Sequence, residues 1–204
     1  MYKGVRQGCN LSPRVFNLLI NDIPKIFDKS CDPVTLSSET LNCLMYADDL
    51  VLLSTSETGL QNCLRKLQIY MDKCHLNINL KKTKITCFNK NGFIPKNIFY
   101  FGNQIVEKTS HYKYLGTIIT NTGSFKRNEI NLKKKGLRAA YLISKISFQA
   151  KPSSSLKIFE KVVEPILMYN CEVSLAYGRN CFFLYRVPSV TQPKIQIFKL
   201  GIFI

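Results

Sequence analysis

Two adjacent aspartates, Asp48 and Asp49, separate the apolar runs Leu41–Tyr46 and Leu50–Leu53. Neighbouring carboxylates between strands repel one another and give up hydration, which costs free energy unless something compensates. Two explanations are open. Asp favours turns in its own right, or a divalent cation supplies the compensation, since Mg2+ takes hard oxygen ligands and is commonly held by one or two carboxylates with substrate phosphates. Either way, an apolar run, an acidic turn and a second apolar run predict a β-hairpin with both strands buried.

Charge narrows the partners. The 204 residues carry 29 Lys+Arg against 13 Asp+Glu, a formal charge of +16. Residues 61–150 hold seventeen of the basic residues and three of the acidic ones, including Lys81-Lys82-Thr83-Lys84 and Lys133-Lys134-Lys135. A lysine-rich solvated surface accounts for short runs. An excess concentrated in ninety residues points to polyanions, nucleic acid above all.

Composition excludes several classes. With 46% apolar residues there is enough material for a core, so the chain is not mainly disordered. The eight cysteines include no CxxC pair, and two histidines cannot complete a standard zinc pattern. The segment MYKGVRQGCN lacks a signal-type apolar core, and the apolar stretch Cys181–Ile204 is interrupted by Arg186, Lys194, Lys199 and two prolines. An intracellular protein with no membrane partner is expected, with Cys9, Cys43 and Cys87 packed as small apolar residues.

Local signals outline an α+β chain. Ser12 is placed as an N-cap before Pro13, opening a helix that Pro24 ends. Residues 28–40 read as a polar connector. Ser56-Glu57-Thr58 opens a helix with Leu60, Cys63, Leu64, Leu67 and Met71 at helical spacing. Asn77–Leu80 and Ile85–Phe88 are strand pieces about a basic turn, and residues 98–106 and 112–120 two further strands. From Ser124 the pattern turns helical, over Lys126–Phe148 and Ser153–Met168, so a boundary is expected at Gly123.

Tyr46-Ala47-Asp48-Asp49 resembles the YxDD box of reverse transcriptases. Gly4-Val5-Arg6-Gln7-Gly8-Cys9-Asn10-Leu11-Ser12-Pro13, followed by Phe16-Asn17, is similar to the loop and helix that precede that box in retrotransposons without long terminal repeats. Leu76-Asn77-Ile78-Asn79 with Lys82-Thr83-Lys84 resembles the next block, Tyr112-Lys113-Tyr114-Leu115-Gly116 the one after, and Pro165–Tyr169 a run in the thumb region. The blocks keep their order over residues 3–175.

The resemblance implies a polymerase palm, an antiparallel sheet with helices on one face, followed by a helical thumb. Residues 1–123 would be a partial palm, 124–178 the thumb and 179–204 a divergent tail. Asp48 and Asp49 would be catalytic and would bind Mg2+ in a two-metal site that activates the primer hydroxyl and stabilises the leaving pyrophosphate. Arg6, Gln7, Gly8, Tyr46 and Ala47 would line the nucleotide and template side. Lys82 would be a cation near the triphosphate with a general-acid role, or else an exposed lysine in a basic turn. Tyr114, Leu115 and Gly116 would form the primer grip. Lys126, Arg127, Lys133, Lys134 and Lys135, with Lys145, would track the duplex backbone. The partners implied are an RNA template, a DNA primer or RNA–DNA duplex, and dNTPs.

The family's first catalytic aspartate lies on a strand upstream of the GVRQG loop, as do the fingers, and neither is present in this sequence. Asp22, Asp28, Asp32 and Asp72 are not embedded in an apolar strand and offer no substitute. The expectation is a retroelement reverse transcriptase fragment, inactive alone, with an exposed sheet edge where the first palm strand would pair. A non-catalytic nucleic-acid-binding protein and a scaffold for partner contacts stand as alternatives.

Overall fold

The computed structural model describes residues 8–36, 38–146, 152–172 and 196–203. Helices and strands are mixed along the chain, as an α+β reading requires. The chain forms two compact units, Met1–Tyr112 with Gln192–Ile204, and Lys113–Thr191.

The first unit begins with α1 (Ser12–Ile20). Its N-cap is Leu11 and makes no side-chain cap bond, so Ser12 is the first helical residue and not the cap expected from its position before Pro13. The helix stops at Asn21, and Pro24 sits inside a short 3-10 turn, Ile23–Ile26. The supposed connector 28–40 is structured. Asp28 caps a second 3-10 turn, Lys29–Cys31, and β1 (Val34–Leu36) pairs antiparallel with β2 (Glu39–Leu41). Cys31, fully buried, is the apolar anchor that a polar-looking sequence concealed.

The central hairpin is β3 (Cys43–Tyr46) and β4 (Asp49–Ser54). Leu50 to Ser54 are all buried, whereas β3 alternates, with Leu44 and Tyr46 exposed. Only one of the two strands is therefore buried on both faces, because β3 has a hydrogen-bonded neighbour on one side only among the described strands. Helix α2 (Glu57–Cys74) follows, and Ser56 Oγ accepts from Gly59 N at 2.9 Å in a normal N-cap. Its buried stripe, Leu60, Cys63, Leu64, Leu67 and Met71, matches the helical spacing read from sequence. It packs with Phe16 and Ile20 of α1, with Ile23, Phe27 and Cys31, and with Leu50 and Leu52 of β4. Each fully buried side chain of this size contributes about 1.5–3 kcal/mol of transfer free energy.

Polar ties fix what surrounds α2. Tyr70 Oη donates to Leu19 O at 2.8 Å, and burial pushes its phenol up to about 12. Asn62 Nδ2 donates to Ser30 O at 2.9 Å, and Lys66 pairs with Asp28. That lysine, with the hydroxyl and amide of Ser30, pulls the Asp28 carboxyl down to about 2.

Beyond α2 come β5 (Asn77–Ile78) and β6 (Lys84–Cys87), joined by a turn in which Thr83 N and Oγ1 both donate to Asn79 O. The two single strands expected at 98–106 and 112–120 are two hairpins: β7 (Phe99–Phe101) with β8 (Gln104–Val106), and β9 (His111–Tyr114) with β10 (Thr117–Thr120). Each segment was read through its apolar content, which hid a tight turn at its middle. The first hairpin is clamped to α2 by Gln61, which donates to Tyr100 O at 2.8 Å and accepts from Tyr100 N at 3.0 Å.

The last strand, β11 (Gln196–Phe203), completes the sheet. It lies between β4 and β6, antiparallel to both, and continues onto β5. The edge of β4 expected to be exposed is thus covered by the chain's own C-terminal segment. Nothing local in that segment announces the pairing, which joins positions more than a hundred residues apart.

In the second unit α3 (Lys126–Ile146) packs against β10 and against α5 (Glu164–Leu167), which follows α4 (Pro152–Ile158) and a π-helical turn, Phe159–Val163. The wide turn lies just ahead of Pro165, whose missing N–H and bulky ring disrupt the regular ladder. The division of the units at Tyr112 precedes the Gly123 expected from composition. Its physical basis is that β10 joins the helices: Ile118 N donates to Asn128 Oδ1 at 3.0 Å, and Asn170 bonds to Thr117.

Candidate functional site

The aspartates sit at the tip of the β3–β4 hairpin. Tyr46 and Asp49 form its last paired position, and Ala47-Asp48 is the two-residue turn. Asp48 is exposed and Asp49 half-buried. Behind them the base of β4 is pinned: Ser54 Oγ donates to Cys31 O at 2.9 Å, and Leu53 N to Asn42 O at 2.7 Å. A rigid buried strand therefore carries an acidic end outward.

Ala47 has φ 51°, in the left-handed region that a residue with a Cβ pays to occupy. Ala47→Gly should remove that strain, and after allowing for glycine's looser unfolded chain it should stabilise the protein by about 0.5–1 kcal/mol. A urea titration checks it: the midpoint should rise at unchanged slope.

Register places other positions relative to the tip. Across β4 on the β11 side, Asp49 pairs with Gly201. Val51 and Lys84 both pair with Lys199, so the Asn79–Thr83 turn leaves β6 at the end of the sheet where β4 carries Asp49. The structure thereby brings the turn bearing Lys82, an exposed residue, to the acidic end. Among the described residues no group of three or more His, Cys, Asp or Glu is arranged to hold a metal ion. The other acids near the core are engaged elsewhere: Asp22 with Lys25 at 2.7 Å, Asp28 with Lys66, and Asp32 with Ser56 Oγ.

Of the loop before α1, Gly8 is exposed with φ 82°, and Arg6 and Gln7 lie outside the described residues. Tyr114-Leu115-Gly116 is the tip of the β9–β10 hairpin, with Leu115 at φ 44° and Gly116 at φ 86°, the paired left-handed residues of a type I′ turn. The sequence did not show what holds this tip. Tyr169 Oη donates to Leu115 O at 2.6 Å, and a Cβ on Gly116 would lie 2.9 Å from Tyr169 Cε1.

Lys126, Arg127, Lys133, Lys134 and Lys135 are all exposed on α3. The helix sorts them. Asn128, Leu132 and Gly136 face inward, with Leu167 against Gly136. On the opposite face Arg127, Lys134, Arg138 and Lys145 follow at spacings of seven, four and seven residues, forming a straight basic stripe. At 1.5 Å per residue it runs about 27 Å. Arg138, absent from the basic residues picked out along the chain, belongs to it, and the 3.6 period was the signal that would have found it. Lys145 Nζ lies 4.6 Å from the centroid of the Tyr141 ring.

Cys87 is buried and Cys43 partly buried, as expected, whereas Cys9, expected to pack as an apolar residue, is exposed because it lies in the loop before α1. Burial pushes the Cys43 and Cys87 thiols up to about 11, and Cys63 higher still. No helix among the described residues is long and apolar enough to cross a membrane.

The described residues thus offer an acidic hairpin tip on a covered antiparallel sheet and, in the second unit, a basic helix face. The family model described as reverse transcriptase (RNA-dependent DNA polymerase) matches residues 1–119, and the chain belongs to that family. It is similar to the Pol polyprotein of the type-1 retrotransposable element R2 of Nasonia vitripennis, 28% identical over 130 residues. That match covers 59% of this chain and 13% of the relative. The type-2 element R2DM of Drosophila melanogaster is 29% identical over 138 residues, 62% of this chain and 13% of the relative. The type-1 element R2 of Popillia japonica is 25% identical over 182 residues, 83% of this chain and 24% of the relative. These relatives agree with the resemblance to retrotransposons without long terminal repeats. The chain spans less than a quarter of their length. No solved structure gives a significant match.

Proposed function

We propose that the chain is the palm and thumb portion of a retroelement reverse transcriptase, with RNA-templated DNA synthesis as the activity of the enzyme it represents. The observation that carries this reading is the Tyr46–Asp49 tip of the β3–β4 hairpin, which presents two carboxylates from a strand buried along its length. Those hard oxygen donors are of the type Mg2+ takes. Mg2+ bound there would supply charge neutralisation at the reacting phosphate.

The chain's own groups have distinct tasks in this reading. Asp48 and Asp49 hold the metal, and Tyr46 with Ala47 borders the nucleotide, together with Arg6, Gln7 and Gly8. Lys82 presents a cation to the triphosphate. Tyr114, Leu115 and Gly116 bear on the primer end. The α3 stripe meets the backbone of an RNA–DNA duplex, contacts that position the substrate without reading its sequence. Residues 1–123 serve as the palm and 124–178 as the thumb, in a protein acting inside the cell, in nucleus or cytoplasm.

The stripe also supports a second reading, a non-catalytic nucleic-acid-binding protein, because it needs no metal. Both predict electrostatic duplex binding. With four phosphate contacts, log K against log salt should have a slope of about −3 to −4. Arg138→Gln should lower that slope by about one, and Asp48→Asn should leave it unchanged in the absence of divalent cation. Anisotropy with a labelled RNA–DNA duplex measures both. A slope unaffected by Arg138→Gln removes the stripe from the interface.

A further inference from the structure

The second unit holds one exposed turn more firmly than a hairpin needs. Leu115 and Gly116, between β9 and β10, have φ 44° and 86°. A type I′ turn favours Asn, Asp or Gly at the first of these positions, and leucine there is strained. A strained residue persists only where its surroundings over-determine it. Three side chains from the helical part of the unit do so. Tyr169 Oη donates to Leu115 O at 2.6 Å, and its ring covers Gly116, where a Cβ would come within 2.9 Å of Cε1. Asn170 Nδ2 donates to Thr117 Oγ1, and Asn128 Oδ1 accepts from Ile118 N at 3.0 Å. Residues 115–118 are therefore gripped from outside their own hairpin.

The gripping residues are themselves fixed, and one of them works against stability. Tyr169 and Asn170 lie in the turn that closes α5, where Met168 N donates to Glu164 O at 2.9 Å and Cys171 N to Met168 O at 3.0 Å. Asn170 is itself left-handed, at φ 55°. α5 lies tightly on α3, since a Cβ on Gly136 would come 2.5 Å from Leu167 Cδ2. Asn128 is fully buried on α3, and its Nδ2 has no hydrogen-bond partner among the described residues. An unsatisfied buried amide destabilises a fold. What this asparagine contributes instead is a hold on Ile118. The tip is thus tied to the helix that carries Arg127, Lys134, Arg138 and Lys145.

We propose that Tyr169, Asn170 and Asn128 are positioning residues. They set the Leu115-Gly116 tip at a fixed distance from the α3 stripe, so that the helix gripping the duplex backbone also places the terminal nucleotide of the primer. This rests on the reading of Tyr114, Leu115 and Gly116 as the part that bears on the primer end. The three residues act through the tip and not on the nucleotide. Such spacing matters because a displacement of about 1 Å is enough to spoil a reacting geometry.

Two measurements on the full chain test this: amide hydrogen exchange, and fluorescence of an RNA–DNA duplex with aminopurine as the primer's terminal base. Tyr169→Phe keeps the ring over Gly116 and removes one hydrogen bond. It should speed exchange at the amides of residues 116–118 about two- to ten-fold. It should also reduce the fluorescence change on binding at least about twofold. Duplex affinity should stay within about twofold, because the α3 stripe carries it. Asn170→Ala loses both the amide and a residue suited to the left-handed region, and should act in the same direction. Asn170→Asp tolerates that region and can accept from the Thr117 hydroxyl, so it should return both readings toward the parent. Unchanged exchange at the tip in Tyr169→Phe overturns the proposal, as does faster exchange with an unaltered fluorescence change. An affinity loss that matches the fluorescence loss gives these residues a structural role only, which also overturns it. A parent chain that binds the duplex with no fluorescence change removes the primer-end reading itself, and the proposal with it.

Discussion

Purified chain supplied with an RNA template, an annealed DNA primer, dNTPs and Mg2+ should extend the primer no faster than its Asp48→Asn variant. The reason is the number of carboxylates that reach the tip. Two-metal chemistry needs ligands beyond one hairpin, and the described residues gather Asp48 and Asp49 without a third acid. The position paired with Asp49 across the sheet is Gly201, and residues 196–203 contain no acid at all. Asp22, Asp28 and Asp32 are committed to Lys25, Lys66 and Ser56. Metal assistance is worth several kcal/mol at the transition state, so an incomplete ligand set should cost at least about a thousandfold in rate. A gel-based extension assay decides it: extension that depends on Asp48 would show that the ligand set is complete in this chain.

The largest effect on stability should come where α2 meets β4, because that contact carries the hairpin. Leu64 is fully buried within the cluster formed by α1, α2 and β4. Leu64→Ala should cost about 2–5 kcal/mol through lost transfer free energy and a residual cavity. Set against a typical total of about 5–15 kcal/mol, that brings the domain near its limit. Gly59→Ala approaches the same contact from the crowded side. Its Cβ would lie 2.6 Å from Ser54 Oγ, 2.7 Å from Asp32 Cβ and 2.7 Å from Cys31 O. Alanine's helix advantage of about 1 kcal/mol is then outweighed by overpacking of about 1–3 kcal/mol, since the Cys31 carbonyl is backbone and yields little. Urea titrations of the two variants give the comparison, and a Gly59→Ala variant more stable than the parent would mean that β4 and α2 are not held this closely.

Much of the site was legible from the residues alone, for a physical reason. A hairpin tip and an amphipathic helix are local objects, set by periods of two and 3.6 residues, so the Tyr46–Asp49 turn and the buried stripe Leu60 to Met71 follow from spacing. The α3 stripe is just as local, yet Arg138 was lost because adjacency along the chain drew attention to Lys133-Lys134-Lys135 and not to the residues that align along the helix. The segments 98–106 and 112–120 were misjudged as single strands because apolar content does not register where a turn falls.

What the sequence determined by itself is the acidic turn, the helix that supports it, the distribution of charge and the family. Tertiary structure alone decided that β3 is the edge among the described strands while β4 is buried, that Tyr169 secures the tip at Leu115, and that residues 196–203 enter the sheet between β4 and β6. These last are pairings between distant segments. Strand pairing is made by backbone groups that every residue carries, so its partner is chosen by what else in the folded chain needs hydrogen bonds, and no local pattern records that choice.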